Sequence, residues 1–271
     1  MEESSAGFFR QVAVCYGRCK RSFINDHGWK SFISVILITV LIGMVMGKNM
    51  FVTYYDTRNG AFALVCACIW IGIFNSIRSI CRERDIVRRE HRTGLNMGAY
   101  IAAHWLYEAC LCAIETVLVT LVVRLMCGDH FVSDPVFLPA MLELGISFFL
   151  IVFSADALGL LVSSIVRSEN TAMTVMPFVL IIQLIMSGMM FELNGISKAI
   201  SYATISKWGM NAVCATARVN EMLDAPSNNV ASLAEQTSTI GNLTVLWLTL
   251  IGFALIYGIL AAVALSFVDN D

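Results

Sequence analysis

Six apolar runs decide what this chain can fold into. They cover approximately residues 31–47, 60–80, 97–123, 136–166, 171–191 and 240–268. A helix needs about 20 residues to cross the hydrocarbon core of a bilayer, and each run is read as one span. The first is short, with Trp29 and Lys30 placed to anchor its end at the interface. The fourth is long enough to tilt or to project beyond the membrane. Composition agrees: 58% of the 271 residues are hydrophobic and 14% are charged, against about 25% charged in a soluble domain. Mean hydropathy is +0.73. The sequence predicts an all-α integral membrane protein with six transmembrane helices.

The net charge of −2 says little, because placement matters more than the sum. Twelve Lys and Arg fall in the N-terminal arm, between spans two and three, and between spans four and five. Six fall on the other side, mostly in one long segment. The basic side is expected to face the cytoplasm, with both termini there. That places the protein as multi-pass in a plasma or bacterial inner membrane. The first 30 residues lack an apolar core of signal-peptide length.

Residues 1–30 read instead as an amphipathic helix. Phe8, Phe9, Val12, Cys15, Tyr16, Cys19 and Phe23 share one side at helical spacing, apart from Arg10, Arg18, Lys20 and Arg21. Ser4 and Ser5 are candidate N-caps. Such a helix lies in the membrane interface or packs on another domain. Residues 31–271 form the six-span domain. The long segment 192–239 between spans five and six contains apolar residues at helical spacing in 196–205 and 208–222. Short helices that re-enter or lie on the outer leaflet are expected there, followed by a polar, exposed stretch at 224–239. Asn242 and Thr244 form a glycosylation sequon at the membrane boundary, where it is not expected to be used.

The most charged stretch follows span two, at about 82–95. Glu83, Ile86, Val87 and Glu90 fall at i, i+3, i+4 and i+7, so two acids flank an apolar pair on one helical face. Arg82, Arg84, Arg88, Arg89 and Arg92 cover most of the rest, and Gly94 supplies a stop. The acids suit a basic partner, for which the N-terminal helix with Arg18, Lys20 and Arg21 is nearest. An ordinary basic loop that only orients the chain is the competing reading.

Chemistry-bearing patterns are few. Gly43, Gly47 and Lys48 are one residue short of phosphate-loop spacing, end in Asn49 and lie in a membrane run, so helix packing explains the glycines better. No Walker motif, dinucleotide turn, metal-ligand cluster or nucleophile–base pair is evident, so the chain is not expected to be an enzyme by itself. The nine cysteines fall singly or as pairs two apart (Cys66/Cys68, Cys110/Cys112), which point to different helix sides and suit packing rather than metal. His104, Glu108 and Glu115 share a narrow stripe on span three, and Glu143 and Asp156 lie in span four. Intramembrane acids mark functional sites by default. They serve either a proton or cation pathway or bonds to neighbouring helices. In span five, Pro177 can kink the helix and Gly188 loosen it, and Met189 and Met190 suit an adaptable apolar gate or plain packing.

Taken in order, these segments resemble the membrane domain of ATP-binding-cassette exporters of the G subfamily, the white and pleiotropic-drug-resistance class. Three stretches carry the resemblance: Asp56 to Gly60, span two, then Glu83, Glu90, Gly94 and Tyr100; Pro177 through Met190; and Ile200 to Trp208 with Asn211, Asn220 and Glu221. The resemblance implies an N-terminal connecting helix, a cytoplasmic coupling helix after span two, and re-entrant helices between spans five and six. It implies a dimer, with a second copy or a paralogue, whose spans two and five line a central path. Cys68, Ile71, Ile181 and Leu184 are then the path residues, Met189 and Met190 the valve above it, and Glu83, Ile86, Val87 and Glu90 the coupling residues. ATP and Mg would sit on a partner nucleotide-binding domain, separate or missing here, since this chain holds no cofactor motif. The partners are an ATPase, a second permease and lipid, not nucleic acid. The implied function is ATP-driven export of a hydrophobic or amphipathic substrate by alternating access. Two other readings stay open: a secondary transporter or channel using His104, Glu108 and Glu115, and a non-transporting membrane scaffold or sensor.

Overall fold

The computed structural model describes residues 7–132, 134–191, 193–222 and 234–267. Among these the regular elements are ten α-helices and three single 3₁₀ turns. The helices are α1 (Phe8–Asn25), α2 (Lys30–Met46), α3 (Tyr54–Ser76), α4 (Ser79–Arg92), α5 (Met97–Cys127), α6 (Ala140–Ile165), α7 (Glu169–Ile185), α8 (Ile196–Ser201), α9 (Ile205–Thr216) and α10 (Ile240–Ser266). Ser4 and Ser5, and most of the polar stretch at 224–239, lie outside the described residues. In the described part α1 begins with Gly7 at its cap position.

Local chemistry sets many of the helix ends. Thr53, Asn96, Ser168 and Thr239 each accept a backbone N–H from the first turn of α3, α5, α7 and α10, which satisfies donors that a helix leaves orphaned. The α4 helix ends as a Schellman motif. Leu95 N–H donates to the Glu90 carbonyl and Gly94 N–H to the His91 carbonyl, with Gly94 at φ 104°. At the other end of α4 the cap comes from elsewhere in the chain. Ser163 Oγ on α6 accepts the N–H groups of both Ile80 and Cys81 at 3.1 Å. This explains why α4 starts before residue 82, where the sequence places the helix.

Two other boundaries move for identifiable reasons. The fourth apolar run begins at 136, but α6 begins at Ala140. The amides of Val136, Phe137 and Leu138 donate to the buried carboxylate of Glu143 rather than to a preceding turn. The fifth run extends to 191, but α7 stops at Ile185, ahead of Gly188, which takes φ 74°. Met189 and Met190 therefore follow the helix rather than belong to it.

The helix α6 is the centre of the bundle. It packs on α3, α10, α5 and α9. Against α3 the approach is so close that a Cβ on Gly72 would collide with the Val152 carbonyl oxygen, and one on Gly159 with Ser76 Oγ. Hydroxyls cross the same seams: Ser76 donates to the Asp156 carbonyl at 2.7 Å, and Ser154 to that of Leu250 at 2.8 Å. Small residues and interhelical hydrogen bonds are what holds apolar helices together without a hydrophobic drive between them. The short α9 sits almost wholly inside, with Ile205, Met210, Val213 and Cys214 in the core.

Contacts fix which helix ends lie together. At one end Ser31 and Asn75 meet Glu115, and Arg84 meets the carbonyls of Ser164 and Val166. At the other, the rings of Phe51 and Phe131 lie 6.0 Å apart, and Thr57 meets Met222. By length and composition, the segments Tyr54–Arg92, Met97–His130, Ala140–Ile165 and Ile240–Ser266 are each able to cross a membrane. The pair α1 and α2, bent by 70°, makes a fifth candidate, and α7 is a shorter apolar helix. Leu37, Val45, Leu125, Phe178, Leu248 and Ile259 point outward from four different helices and are more than half exposed. So wide an apolar surface exceeds what a water-soluble monomer carries. The protein is an all-α, multi-pass membrane bundle.

Candidate functional site

The densest polar construction joins α1 to α4. Arg18, on the polar side of α1, reaches the two acids of α4 with one guanidinium. Nη1 donates to both oxygens of Glu90 at 2.8 and 2.9 Å, and Nη2 to Glu83 at 3.1 Å. Glu83 and Glu90 are two turns apart and so share a face, and the planar fork of Arg spans both. Tyr100, the fourth residue of α5, completes the site. Its hydroxyl donates to Glu83 at 3.1 Å, and its ring lies 5.6 Å below the guanidinium. Partial burial alone would lower the Arg18 pKa. The hydrogen bonds to Glu90 and the charge of Glu83 outweigh that and hold it above its ordinary value, so the clamp stays charged.

Two further ties secure the same interface. Gln11 donates through its amide to the Gly94 carbonyl and accepts Asn96 N–H at 2.8 Å. Arg82 pairs with Asp26 at 2.9 Å. Beneath them, Cys15 of α1, Val87 and Ile80 of α4, and Leu160 of α6 form a buried apolar cluster with Tyr100. On its other flank Arg84 donates to the last carbonyls of α6, where a helix end carries partial negative charge. Thus α4 is fixed to α1 and α6 together. The apolar pair splits: Val87 is fully buried, whereas Ile86 is 51% exposed and borders a cavity. Asp85 and Arg89 are exposed. Of the clamp residues, Gln11, Asp26 and Ser163 carry no signal in the sequence, because their partners are remote in the chain.

The other predicted residues are dispersed. Cys68 is enclosed in the core. On α3 that side chain faces its own bundle. Ile71 is buried but borders the cavity, Ile181 is exposed on α7, and Leu184 is half-buried. Met189 packs against the core and Met190 faces out. His104, Glu108 and Glu115 are all buried on α5. His104 lies against Cys19 and Tyr100. Glu115 accepts from Asn75 at 2.6 Å and Ser31 at 3.3 Å. Because Ser31 opens α2 and Asn75 closes α3, Glu115 stands at the level of those helix ends, although it is central in the third apolar run. No group of three or more metal-ligating side chains occurs among the described residues.

At the opposite end, Glu235 gathers Lys207 at 3.2 Å, Tyr202 at 2.8 Å and Asn211 at 3.1 Å. Lys207 also lies 3.3 Å from the centre of the Tyr202 ring. Burial pushes the Glu235 carboxyl up, but the bonds to Tyr202, Lys207 and Asn211 outweigh it, and the net shift is downward. This cluster ties α8 and α9 to the entry of α10.

The model of the ABC-2 type transporter family matches residues 10–217, which takes in α1 through α9. An ABC transporter ATP-binding/permease protein of Mycobacterium tuberculosis is 23% identical over 236 residues, covering 83% of this chain. The chain spans 27% of that relative's length. The chain therefore belongs to the ABC-2 type transporter family, as a permease-type, non-catalytic membrane domain.

Proposed function

We propose that the chain is the permease of an ATP-driven exporter of the G-subfamily class. Residues 1–30 act as its connecting helix and 31–271 as a six-span domain, with α7 as the fifth span and α8 and α9 as the re-entrant segment. Both termini face the cytoplasm. Two such domains, identical or paralogous, form a dimer around an apolar path, and an ATP-binding partner drives it between inward- and outward-open states. A hydrophobic or amphipathic substrate leaves past Met189 and Met190. The name of the mycobacterial relative joins ATP-binding and permease functions in one protein, which supports an ATPase partner, in the same chain or a separate one.

The observation that carries this reading is the Arg18 clamp. A short helix after the second apolar run is gripped by α1 and α6, while Asp85, Ile86 and Arg89 remain exposed for a partner. A push on that face is transmitted to α1, and through Arg84 to α6, without being absorbed by a loose loop. Ile71, Ile181 and Leu184 are placed on that path in this reading, and Cys68 behind it in the core. A stripe of acids used for ion conduction should thread the bilayer. Glu115 instead stands where α2 begins, which favours ATP-driven over ion-driven transport. Inside-out vesicles carrying the chain and its ATPase are expected to take up amphipathic dyes only with hydrolysable ATP. Uptake that persists without ATP and follows an ion gradient would refute the reading.

A further inference from the structure

A cavity of about 920 Å³ lies between α1, α2, α3, α4 and α5. It is within the size range of sites that hold drug-sized ligands. It lies inside one protomer, bounded by α1 and the α2–α3 pair, and no path residue other than Ile71 borders it. Its walls are aromatic and aliphatic: Phe23, Ile38, Trp70, Phe74, Tyr107 and Leu111. Its charge is ordered. Glu108 and Glu115 line the buried side, while Lys30 and Arg78 are exposed at the rim.

The buried side is short of positive charge. Glu108 is 3% exposed, and its Oε2 has no hydrogen-bond partner among the described residues. Among the described residues, Glu115 accepts hydrogen bonds from the neutral donors Asn75 and Ser31. Two of the cations nearby are committed elsewhere, Arg18 to Glu83 and Glu90 and Arg82 to Asp26, and Lys30 and Arg78 stand out at the exposed rim. A buried carboxyl stays ionised only beside a cation and otherwise keeps its proton, so a cation entering the cavity gains a charged partner, and aromatic walls stabilise an ammonium further.

We propose that this cavity binds an amphiphile with an ammonium head. The ammonium sits at Glu108 and Glu115, and an adjoining anionic group, where present, meets Lys30 and Arg78. The apolar part runs out along Ile38, Trp70 and Phe74. That order of groups (ammonium, then phosphate, then acyl chains) is the order in an ethanolamine phospholipid entering head first. An amine-bearing cargo offers the same ammonium. The site does not depend on the export mechanism, because it needs neither a dimer nor ATP.

The test is retention of ligand by the purified full chain, read by native mass spectrometry. Three probes are used: phosphatidylethanolamine, phosphatidylglycerol and dodecylammonium. One phosphatidylethanolamine per chain is expected. Glu108→Gln with Glu115→Gln should weaken it by about tenfold or more, the usual worth of a charge-assisted contact. Ser34→Trp, which fills the cavity without touching its charge, should do the same if the acidic variants fold poorly. Binding of dodecylammonium alone, lost in the same variants, would support the site and assign it to an amine cargo. Equal retention of phosphatidylglycerol, or retention of no probe, or retention unchanged in all the variants, would overturn the proposal.

Discussion

At the scale of single residues, the positions that matter most are those where one side chain answers several buried groups. Glu143 accepts three consecutive backbone amides and is itself fully buried. Each amide left without a partner costs about 1–3 kcal/mol, so Glu143→Ala should lower stability by about 3 kcal/mol. Denaturant titration in detergent micelles checks this, and a loss under a third of that value would show that the loop finds other acceptors. Arg18 answers two acids and a ring, with a side chain 28% exposed. Between a surface pair and a buried one, its replacement by Ala should cost about 2 kcal/mol. Both roles were only half visible in the sequence. The spacing of Glu83 and Glu90 gives a shared acidic face, and charge gives Arg18, Lys20 and Arg21 as partners. Which of the three reaches α4 depends on how α1 lies, and no local pattern encodes that. Glu143 reads from sequence as one more acid in a membrane run, because its partners are backbone groups.

At the scale of elements, helix positions were legible and helix ends less so. The apolar runs locate α2, α3, α5, α6, α7 and α10 because apolar side chains outnumber polar ones over about 20 residues at a stretch. The start of α4 was displaced because Ser163, 83 residues away from Ile80, supplies its cap. The depth of Glu115 was hidden for a related reason: it is set by where α2 begins and α3 ends. The α3–α6 seam offers a sharp test. Gly72→Ala places a methyl group against backbone and should cost about 3 kcal/mol by overpacking. Gly17→Ala, on α1 with open space around it, should be neutral or raise stability by about 0.5–1 kcal/mol. Equal effects of the two in the same unfolding assay would contradict the packing described. The α8–α9 cluster gives a pH prediction. The Glu235 pKa is lower in the folded state than in the unfolded chain. Its contribution is therefore fully present above the unfolded value of about 4.3 and lost as pH falls below it. The thermal midpoint of the wild type should drop on acidification more steeply than that of Glu235→Gln. Parallel slopes would remove Glu235 from the account.

At the scale of the whole molecule, two regions divide the work. A close-packed centre is formed by α3, α6 and α9, and a clamp of α1, α4 and α5 holds the end where Asp85, Ile86 and Arg89 of α4 are exposed. The membership of the ABC-2 type transporter family gives that division its meaning. In the account proposed here, motion enters at α4 and passes to the spans through Arg18 and Arg84. The most direct measurement sets ATP hydrolysis beside transport in the same vesicles, with the chain and its ATPase reconstituted together. Glu90→Arg, which reverses the charge facing Arg18, should leave insertion intact and hydrolysis measurable while ATP-dependent uptake falls by about tenfold or more, as loss of a charged contact at a coupling step requires. If that variant inserts and transports at the wild-type rate, the clamp does not couple the two.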